Sequence, residues 1–489
     1  MKHLKLLILS LLSICMFTAC TDTDKKAVTP NIILILADDL GYSDISCYRN
    51  ANPDPATAMP STAQTPHIDV LADQGMRFTD FYCGAAVCSP SRSALISGRN
   101  ATRLGIFNYL PENCPMHLRS EEITIAELLK NKAYKTGHFG KWHLTSKGTD
   151  QPLPNDQGFD YSFFTYNNAR PSHRNPENYY RNGEPVGPLK GYACGLVVDE
   201  AIAWLERNKE NPDPFYINVW FNEPHMKVAA PEELSSRHQY NQEYYGAIEN
   251  MDLAVGKLLT YLSEKELDEN TIILFSSDNG SRWDHSNDPF RGEKCFNYEG
   301  GLRVPFIIKW PGQIAAGQVS EMPGSFTDVL PSLAAITEIP VPSDRSYDGM
   351  DLSPVFLGKE KALERAEPLF FYRYFHDPIC MLRDGDWCLL GYQKLIPLAE
   401  SLDEGQLANI RPWYFQENHM EYLKTQVPTM FELYNLKVDR EQELDVSAQH
   451  PERVEAMKAK MLALREEMVE EGGDWYASKP AANGEQEKE

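Results

Sequence analysis

One stretch of the sequence combines a thiol, a proline and an arginine ahead of a short helix-forming run. Cys88, Pro90 and Arg92 stand at alternate positions, and Gly98 follows the run. Pro90 suits the first turn of a helix, and Gly98 suits the residue just past its end. We therefore expect Cys88 at a helix N-terminus, where free N–H groups favour an anion, with Arg92 one turn further on the same face. The stretch predicts an activated nucleophile beside an anion-binding site.

Acidic and amide side chains follow two apolar runs of the chain. Asp38 and Asp39 end the first run, and Asp278 and Asn279 end a later one. Asp is also common in ordinary strand-to-loop turns. However, open α/β sheets bind their ligands at the carboxyl ends of the strands, and oxygen ligands suit Ca²⁺ or Mg²⁺. Since the pattern contains no cluster of thiolates or histidines for zinc, it predicts a site for a hard divalent cation.

Four further residues could bind an anion or transfer protons. Lys141 and His143 follow one predicted strand, His225 follows another, and Lys294 lies on a loop after the last of these strands. A lysine on a loop is ordinary when taken alone. Because all four recur near predicted strand ends, next to Gly or Pro, together they indicate one reaction site.

These residues need a common scaffold, which the pattern of apolar runs predicts. Strands are expected over 31–37, 215–221 and 271–277, with helices over 193–209 and 242–264. Continuous apolar runs are typical of parallel strands buried on both faces. The alternation of strands and helices predicts an α/β fold with a large, mostly parallel central sheet and helices on both faces.

Other regions give weaker or different patterns. A helix is predicted over 120–132 from a start that resembles a capping box. Residues 151–190 are rich in Pro, Asn, Gly, Tyr and Arg without a steady period, so we expect a long loop over the sheet. After Pro354, short apolar runs, a tight-turn signal and a helix from Pro451 to about Glu470 predict a smaller antiparallel α+β domain.

The bulk composition bounds the partners and the use of cysteine. The 489 residues carry a formal net charge of −23, so no basic face is expected to offset the repulsion of nucleic acid. The 10 cysteines lack a regular spacing and do not indicate a disulfide framework. For an exported protein, one or two disulfide bonds stay an open alternative.

The N-terminus carries a targeting pattern. Lys2 and Lys5 precede an apolar run that ends in small residues, which is typical of a signal peptide. Cys20, directly after Thr18 and Ala19, resembles the lipidated cysteine of a bacterial lipobox, with ordinary cleavage as the alternative. We expect a lipoprotein of the bacterial cell envelope, periplasmic or at the surface, that touches the membrane only through a lipid anchor on Cys20.

The pattern Cys-x-Pro-x-Arg at residues 88–92 resembles the signature of the type I, formylglycine-dependent sulfatases. The resemblance extends from Asn31 to about Val446, and the stretches 182–187 and 342–349 are similar to the arylsulfatase A and N-acetylgalactosamine-sulfatase branch. Further matches to family motifs, in chain order, are Asn31–Gly41, Gly137–His143, Pro224–His225, Ser277–Gly280, Tyr298–Pro305, Trp310–Gly312 and Arg383–Trp387.

This resemblance implies an alkaline-phosphatase-like fold and a sulfuric ester hydrolase. A dedicated maturase would oxidise Cys88 to formylglycine, whose hydrated aldehyde would attack the sulfur of the ester. The implied ligands of Ca²⁺, with Mg²⁺ as the alternative, are Asp38, Asp39, Cys88 in its oxidised form, Asp278 and Asn279. The other implied roles are sulfate binding by Arg92, Lys141 and Lys294, protonation of the leaving sugar oxygen by His225 or Lys294, and removal of a proton from the aldehyde hydrate by His143.

The branch resemblance further implies a sulfated saccharide substrate, such as a galactose or N-acetylgalactosamine sulfate from glycosaminoglycan or mucin. The residues that select the sugar are expected within 167–174 and 282–291, where Arg170, His173, Arg174, Asp284 and His285 would bind its hydroxyl groups. Two alternatives stay open: a phosphohydrolase of the alkaline-phosphatase superfamily, and a non-catalytic lipoprotein that binds sulfated glycans. The expected division of the chain is a signal peptide over 1–19, a tether over 20–29, a catalytic domain over 30–365, a C-terminal α+β domain over 366–478 and a disordered tail over 479–489.

Overall fold

The computed structural model of the protein describes residues 29–49, 62–393, 417 and 419–477. The predicted signal peptide, the lipid anchor on Cys20, most of the tether and the tail after residue 478 therefore lie outside the described residues. Within the described ranges, no helix is long and apolar enough to cross a membrane. The division of the chain into domains at residues 365 and 366 stays a prediction.

Strands and helices alternate through most of the described chain. The strands are β1 Asn31–Asp38, β2 Met76–Phe78, β3 Phe81–Tyr82, β4 Lys135–Lys141, β5 Tyr161–Thr165, β6 Tyr180–Arg181, β7 Glu184–Pro185, β8 Phe215–Pro224, β9 Thr271–Ser277, β10 Phe306–Lys309, β11 Gln318–Ser320, β12 Gly324–Ser325, β13 Leu369–Tyr372, β14 Cys380–Asp384, β15 Trp387–Tyr392 and β16 Met430–Asn435. The α-helices are α1 Pro66–Asp73, α2 Cys88–Ser97, α3 Ile125–Lys130, α4 Ala193–Asn208, α5 Glu232–Ser235, α6 Gln242–Glu264, α7 Glu299–Leu302, α8 Val329–Ile336, α9 Ser353–Phe356, α10 His419–Thr425 and α11 Pro451–Gly472. Short 3-10 helices lie at Ser46–Tyr48, Pro154–Gln157, Asp268–Asn270, Phe326–Asp328 and Ser447–Gln449.

Ten strands form the central sheet, in the order β11-β2-β10-β9-β1-β8-β4-β5-β6-β7. The five strands in its middle, from β9 to β5, run parallel to one another. Strands β10, β6 and β7 pair antiparallel to their neighbours. A second sheet, in the order β13-β14-β15-β16, is antiparallel throughout and packs against α11. The predicted α/β class, with a smaller C-terminal antiparallel sheet, is confirmed.

The central strand β1 is buried on both faces. Ile32, Leu34 and Leu36 belong to one apolar cluster, whereas Ile33 and Ile35 belong to the other. Since successive side chains of a strand point to opposite faces, this apolar run contacts helices on both sides of the sheet. Full burial of each Leu or Ile side chain contributes about 1.5–3 kcal/mol, which fixes the strand that carries the two aspartates.

Two local predictions were wrong. Residues 151–190 are not a continuous loop, because Tyr161–Thr165 forms β5 and pairs parallel with β4. This strand forms by pairing with another segment of the chain, and its residues lack the long aliphatic run that marked the other strands. Helix α3 begins later than expected, because Thr124 accepts a hydrogen bond from the Glu127 N–H (3.1 Å) and the Glu127 side chain accepts one from the Thr124 N–H (2.9 Å). This capping box fixes the helix start at Ile125.

The cysteines that the structure describes form no disulfide bonds with one another. The cysteines that the structure describes are all free: Cys47, Cys83, Cys88, Cys114, Cys194, Cys295, Cys380 and Cys388. The apolar clusters on both faces of the sheet, rather than a disulfide framework, therefore stabilise these parts of the fold.

Candidate active site

The carboxyl ends of neighbouring parallel strands bring the predicted site residues to one edge of the sheet. Asp38 is the last residue of β1, Lys141 ends β4, His225 follows β8 and Asp278 follows β9. Because β4, β8, β1 and β9 are adjacent and parallel, their carboxyl ends converge. The topology of the sheet thus brings together residues that are far apart in the sequence.

Helix α2 places Cys88 at this edge of the sheet. The helix begins at Cys88, and Gly98 ends it in the left-handed conformation, with φ of 70°. The thiol is only 2% exposed. Its Sγ lies 3.6 Å from Asp38 Oδ1, 3.8 Å from Asp39 Oδ1 and 3.3 Å from Lys294 Nζ. The predicted place of the thiol at a helix N-terminus among charged groups agrees with the structure.

The surroundings of Cys88 do not activate the unmodified thiol. Burial raises the pKa of Cys88 above its ordinary value, and the nearby Lys141 and Lys294 only partly oppose this effect. Desolvation penalises the thiolate more than the helix N-terminus and the two ammonium groups favour it. The unmodified side chain is consequently a protonated thiol, which is a poor nucleophile.

Three basic side chains hold the carboxylates in place. Arg92 Nε donates to Asp278 Oδ2 at 2.9 Å, and Arg92 Nη2 lies 3.4 Å from Asp38 Oδ1. Lys141 Nζ donates to Asp38 Oδ2 at 2.7 Å. Near them, Lys294 Nζ donates to both oxygens of Asp39 at 2.6 Å. These side chains are almost fully buried, so their charges interact with little screening by water.

The carboxylates respond differently to these partners. Burial by itself would raise the pKa of Asp39, but the adjacent His225, Lys294 and Lys141 lower it below its ordinary value. Burial raises the pKa of Asp278 to about 6, although Arg92 opposes this shift. Both responses are those expected of carboxylates packed together in a dry site.

Two histidines flank the cluster. His225 Nε2 lies 3.3 Å from Asp39 Oδ2, and His225 Nδ1 lies 2.7 Å from the carbonyl oxygen of Met226. Burial lowers the pKa of His225 to about 3 despite the nearby Asp39. His143 Nε2 lies 3.1 Å from the carbonyl oxygen of Leu110, and burial, with Lys141 and Arg92, lowers the pKa of His143. A neutral imidazole can accept a proton.

The carboxylate and amide oxygens of the cluster suit a hard divalent cation, whereas the thiol and the imidazole beside them do not. Asp38, Asp39, Cys88 and His225 each offer a ligand atom within 4.8 Å of the others. Asn279 Nδ2 donates to Asp39 Oδ1 at 2.7 Å, whereas in the described part of the chain no donor reaches its buried Oδ1. An amide oxygen without a partner beside carboxylates fits Ca²⁺ or Mg²⁺.

Two observations bear on the predicted ligand set, which stays a prediction. His225, which the sequence suggested only as a proton donor, lies among the possible ligands. Asp278 lies outside that group, because its Oδ2 faces Arg92, although its Oδ1 accepts a hydrogen bond from the Asp39 N–H at 3.1 Å. The predicted ligands Asp38, Asp39, Cys88 and Asn279 are brought together.

Comparison with known proteins agrees with this geometry. The family described as Sulfatase matches residues 30–339. The chain belongs to the sulfatase family. The N-acetylgalactosamine-6-sulfatase of Canis lupus familiaris is 34% identical over 377 residues, which are 70% of this chain and 68% of the relative. The arylsulfatase A of Homo sapiens is 34% identical over 384 residues, which are 72% of each chain.

Solved structures are similar along nearly the whole chain. Two structures of Ps i-CgsB, one described as its complex with k-i-k-neocarrahexaose, each have a TM-score of 0.74 and 26% identity to this sulfatase. Each match covers 89% of this chain and 93% of the other. The family match and the named relatives, which are sulfatases, confirm the expectation of a sulfuric ester hydrolase.

A cavity of about 550 Å³ opens above Cys88 in this sulfatase. Of the residues expected to bind sugar, Arg170 lines it, whereas His173 is fully buried in the core and does not. Arg174 pairs with Tyr192 in a β-bridge outside it, and Asp284 and His285 do not line it either. Loop composition alone could not separate an inward from an outward side chain.

Sequence reasoning missed Tyr109 and Met226, which line the cavity. Asn168 and Trp283, which also line it, lie within the two stretches expected to select the sugar. Asn168 Oδ1 accepts a hydrogen bond from Lys141 Nζ at 3.0 Å. The position next to His225 was a usable signal for Met226, whereas Tyr109 belongs to a loop far from any motif.

Gly140 permits the strand end that presents Lys141. Its φ is 108°, and a Cβ there would lie 1.8 Å from the carbonyl oxygen of Trp220 on the adjacent strand. We expect Gly140→Ala to lower the free energy of unfolding by at least about 2 kcal/mol, as chemical denaturation would measure. The matched control is Gly312→Ala, since Gly312 has φ of 73° but open space around it. Equal losses in the two variants would contradict the steric argument.

Proposed function

We propose that this sulfatase hydrolyses sulfate esters of carbohydrates, with galactose or N-acetylgalactosamine sulfate as the preferred class. The observation that carries the proposal is the buried cluster around Cys88, in which three carboxylates and three basic side chains surround a helix N-terminus below an open cavity. The names of the relatives support the sugar class, since one is an N-acetylgalactosamine-6-sulfatase. The complex of Ps i-CgsB with k-i-k-neocarrahexaose supports a saccharide ligand.

We infer that a maturase converts Cys88 to formylglycine and that the cluster holds Ca²⁺, with Mg²⁺ as the alternative. Asp38, Asp39, Asp278 and Asn279 would hold the ion together with residue 88. The three carboxylates and the three basic side chains of the cluster cancel in charge, so a divalent cation would make the site attractive to an anionic sulfate ester. The formylglycine would supply a hydrated aldehyde as nucleophile. The cation, when bound, would supply a Lewis acid.

The basic side chains would then bind the sulfate group. Arg92, Lys141 and Lys294 are each fixed by a carboxylate partner. Because they are ordered before substrate arrives, they can stabilise charge on the sulfate oxygens at little cost in reorganisation. Lys294 is the closest of them to the thiol, at 3.3 Å.

Proton transfer would involve the two histidines. His143 is buried and neutral, so it can accept the proton that residue 88 must lose for sulfate to leave. Protonation of the leaving sugar oxygen would fall to His225, which would first have to take up a proton because burial lowers its pKa, with Lys294 as the alternative. Both reach Asp39, at 3.3 Å and 2.6 Å, and both line the cavity.

We also propose that the enzyme works in the bacterial cell envelope, as a lipoprotein anchored through Cys20. The support is the sequence pattern at residues 2–20, where two lysines precede an apolar run and a cysteine follows small residues. Sulfated polysaccharide from outside the cell would be accessible there.

A sulfate-release panel tests the proposed function. The substrates are 2-, 3-, 4- and 6-sulfated monosaccharides and chondroitin disaccharides, with matched phosphate esters as controls, after peptide mass spectrometry has established the aldehyde at residue 88. We expect free sulfate from at least one galactose or N-acetylgalactosamine sulfate and far slower release of phosphate. Faster phosphate release would favour the phosphohydrolase. Saccharide binding without release of either anion would favour the non-catalytic alternative.

A further inference from the structure

A second cavity adjoins the one above Cys88. Its volume is about 620 Å³, and it shares Tyr109, Asn167, Asn168 and Arg170 with the first. Its remaining walls come from the loop after residue 110, from β6 and from the segment after α11. The two cavities together form one continuous depression that leads away from the sulfate-binding residues.

Asn168 forms hydrogen bonds both with a residue of the reaction site and with a residue that lines the second cavity. Its side-chain Oδ1 accepts from Lys141 Nζ at 3.0 Å, and its backbone oxygen accepts from Asn178 Nδ2 at 2.9 Å. Asn178 lines only the second cavity. Tyr109 also spans the two, since its ring centroid lies 6.2 Å from that of His143. A ligand that fills both cavities would therefore contact the reaction site and the second cavity through the same wall.

The walls of the second cavity combine aromatic faces with amides. Tyr166 and Tyr180 contact each other edge to face, with ring centroids 4.9 Å apart, and Tyr476 lines the cavity from the C-terminal segment. These three tyrosines are half-buried, so each packs on the fold and still presents part of its ring. A sugar ring has an apolar C–H face and a rim of hydroxyl groups. Tyrosine rings can pack against the C–H face, and amide groups can form hydrogen bonds with the hydroxyl groups.

We propose that the second cavity is a subsite for the sugar unit linked to the sulfated one, so that the preferred substrate is an oligosaccharide. This inference rests on the proposed function. Its lining agrees with such a ligand because most of it is uncharged; Arg170 is paired with Glu112 at 3.5 Å, and Lys147 is the third charged lining residue. Binding of the second unit adds affinity that a monosaccharide sulfate does not obtain.

The test compares one sulfated monosaccharide with a tetrasaccharide built from the same sulfated unit. We expect the wild-type enzyme to show the higher kcat/KM on the tetrasaccharide. In Tyr180→Ala and, separately, Tyr476→Ala, that kcat/KM should fall by about tenfold or more, while kcat/KM on the monosaccharide stays within about twofold. Tyr476 lies outside the sheets, so its variant keeps the test informative if Tyr180→Ala fails to fold.

The matched control is Tyr261→Ala. Tyr261 lines a different cavity, of about 600 Å³, together with the first residues of β1, β4 and β8 at the opposite edge of the sheet. This variant should leave the preference for the tetrasaccharide unchanged. Equal kcat/KM for the two substrates in the wild type, or an unaltered preference in both cavity variants, would overturn the inference alone. Absence of sulfate release from every saccharide would overturn the proposed function, and the inference with it.

Discussion

Replacing Cys88 by alanine is expected to lower kcat/KM for sulfate release by at least about 10⁴-fold, because alanine at residue 88 cannot be oxidised to the aldehyde that supplies the nucleophile. The described residues around Cys88 are carboxylates, ammonium groups and histidines that are already paired with one another. The alanine variant would also lack the aldehyde signal in peptide mass spectra. Sulfate release from the most active substrate of the panel provides the measurement.

The loss should be chemical rather than structural. Cys88 is a small buried side chain, so its truncation should cost less than about 2 kcal/mol of stability. Cys83→Ala is the matched control, because Cys83 is a buried thiol five residues earlier in the chain whose Sγ lies 3.0 Å from the carbonyl oxygen of Ala85. Burial raises the pKa of Cys83 as it does that of Cys88. Similar activity in the two variants would remove Cys88 from the proposed mechanism.

The parts of the fold that the sequence predicted best are those with a local cause. Helix α6 and strand β9 have the bounds expected from their periodicity, Gln242–Glu264 and Thr271–Ser277. In both elements, apolar positions repeat with the period of the structure, and breakers stand at the ends. Parallel strands then necessarily gather Asp38 and Asp278 at one edge, so most of the site followed from the sheet.

What the sequence did not predict depends on contacts between distant segments. Strand β5 exists because it pairs with β4, and the burial that raises the pKa of Cys88 comes from elements on every side of it. Tyr109 lines the cavity because a separate loop folds over the same strand ends. The expected role of His173 failed for the same reason, since a polar residue in a loop gave no sign of its complete burial.

Lys294→Ala is expected to reduce kcat/KM by at least about 10³-fold, since it removes a preorganised cation within 3.3 Å of residue 88. The variant should still fold, because Asp39 keeps Asn279 Nδ2 at 2.7 Å and His225 Nε2 at 3.3 Å. Lys309→Ala provides the control, as Lys309 is another buried lysine on β10 but lies outside the cluster. Its variant should retain the wild-type rate, with thermal denaturation reporting any shared loss of stability.

The choice of leaving group separates the two roles considered for Lys294. A p-nitrophenyl sulfate releases a stable anion that needs no proton, whereas a sugar alkoxide requires one. If Lys294 acts on the sulfate oxygens, the loss should be equally large for both substrates, and His225→Ala should spare the aryl ester. If Lys294 is the acid, its variant should recover on the aryl ester instead. A loss below about tenfold on both substrates would contradict either role and leave Lys294 as a structural partner of Asp39.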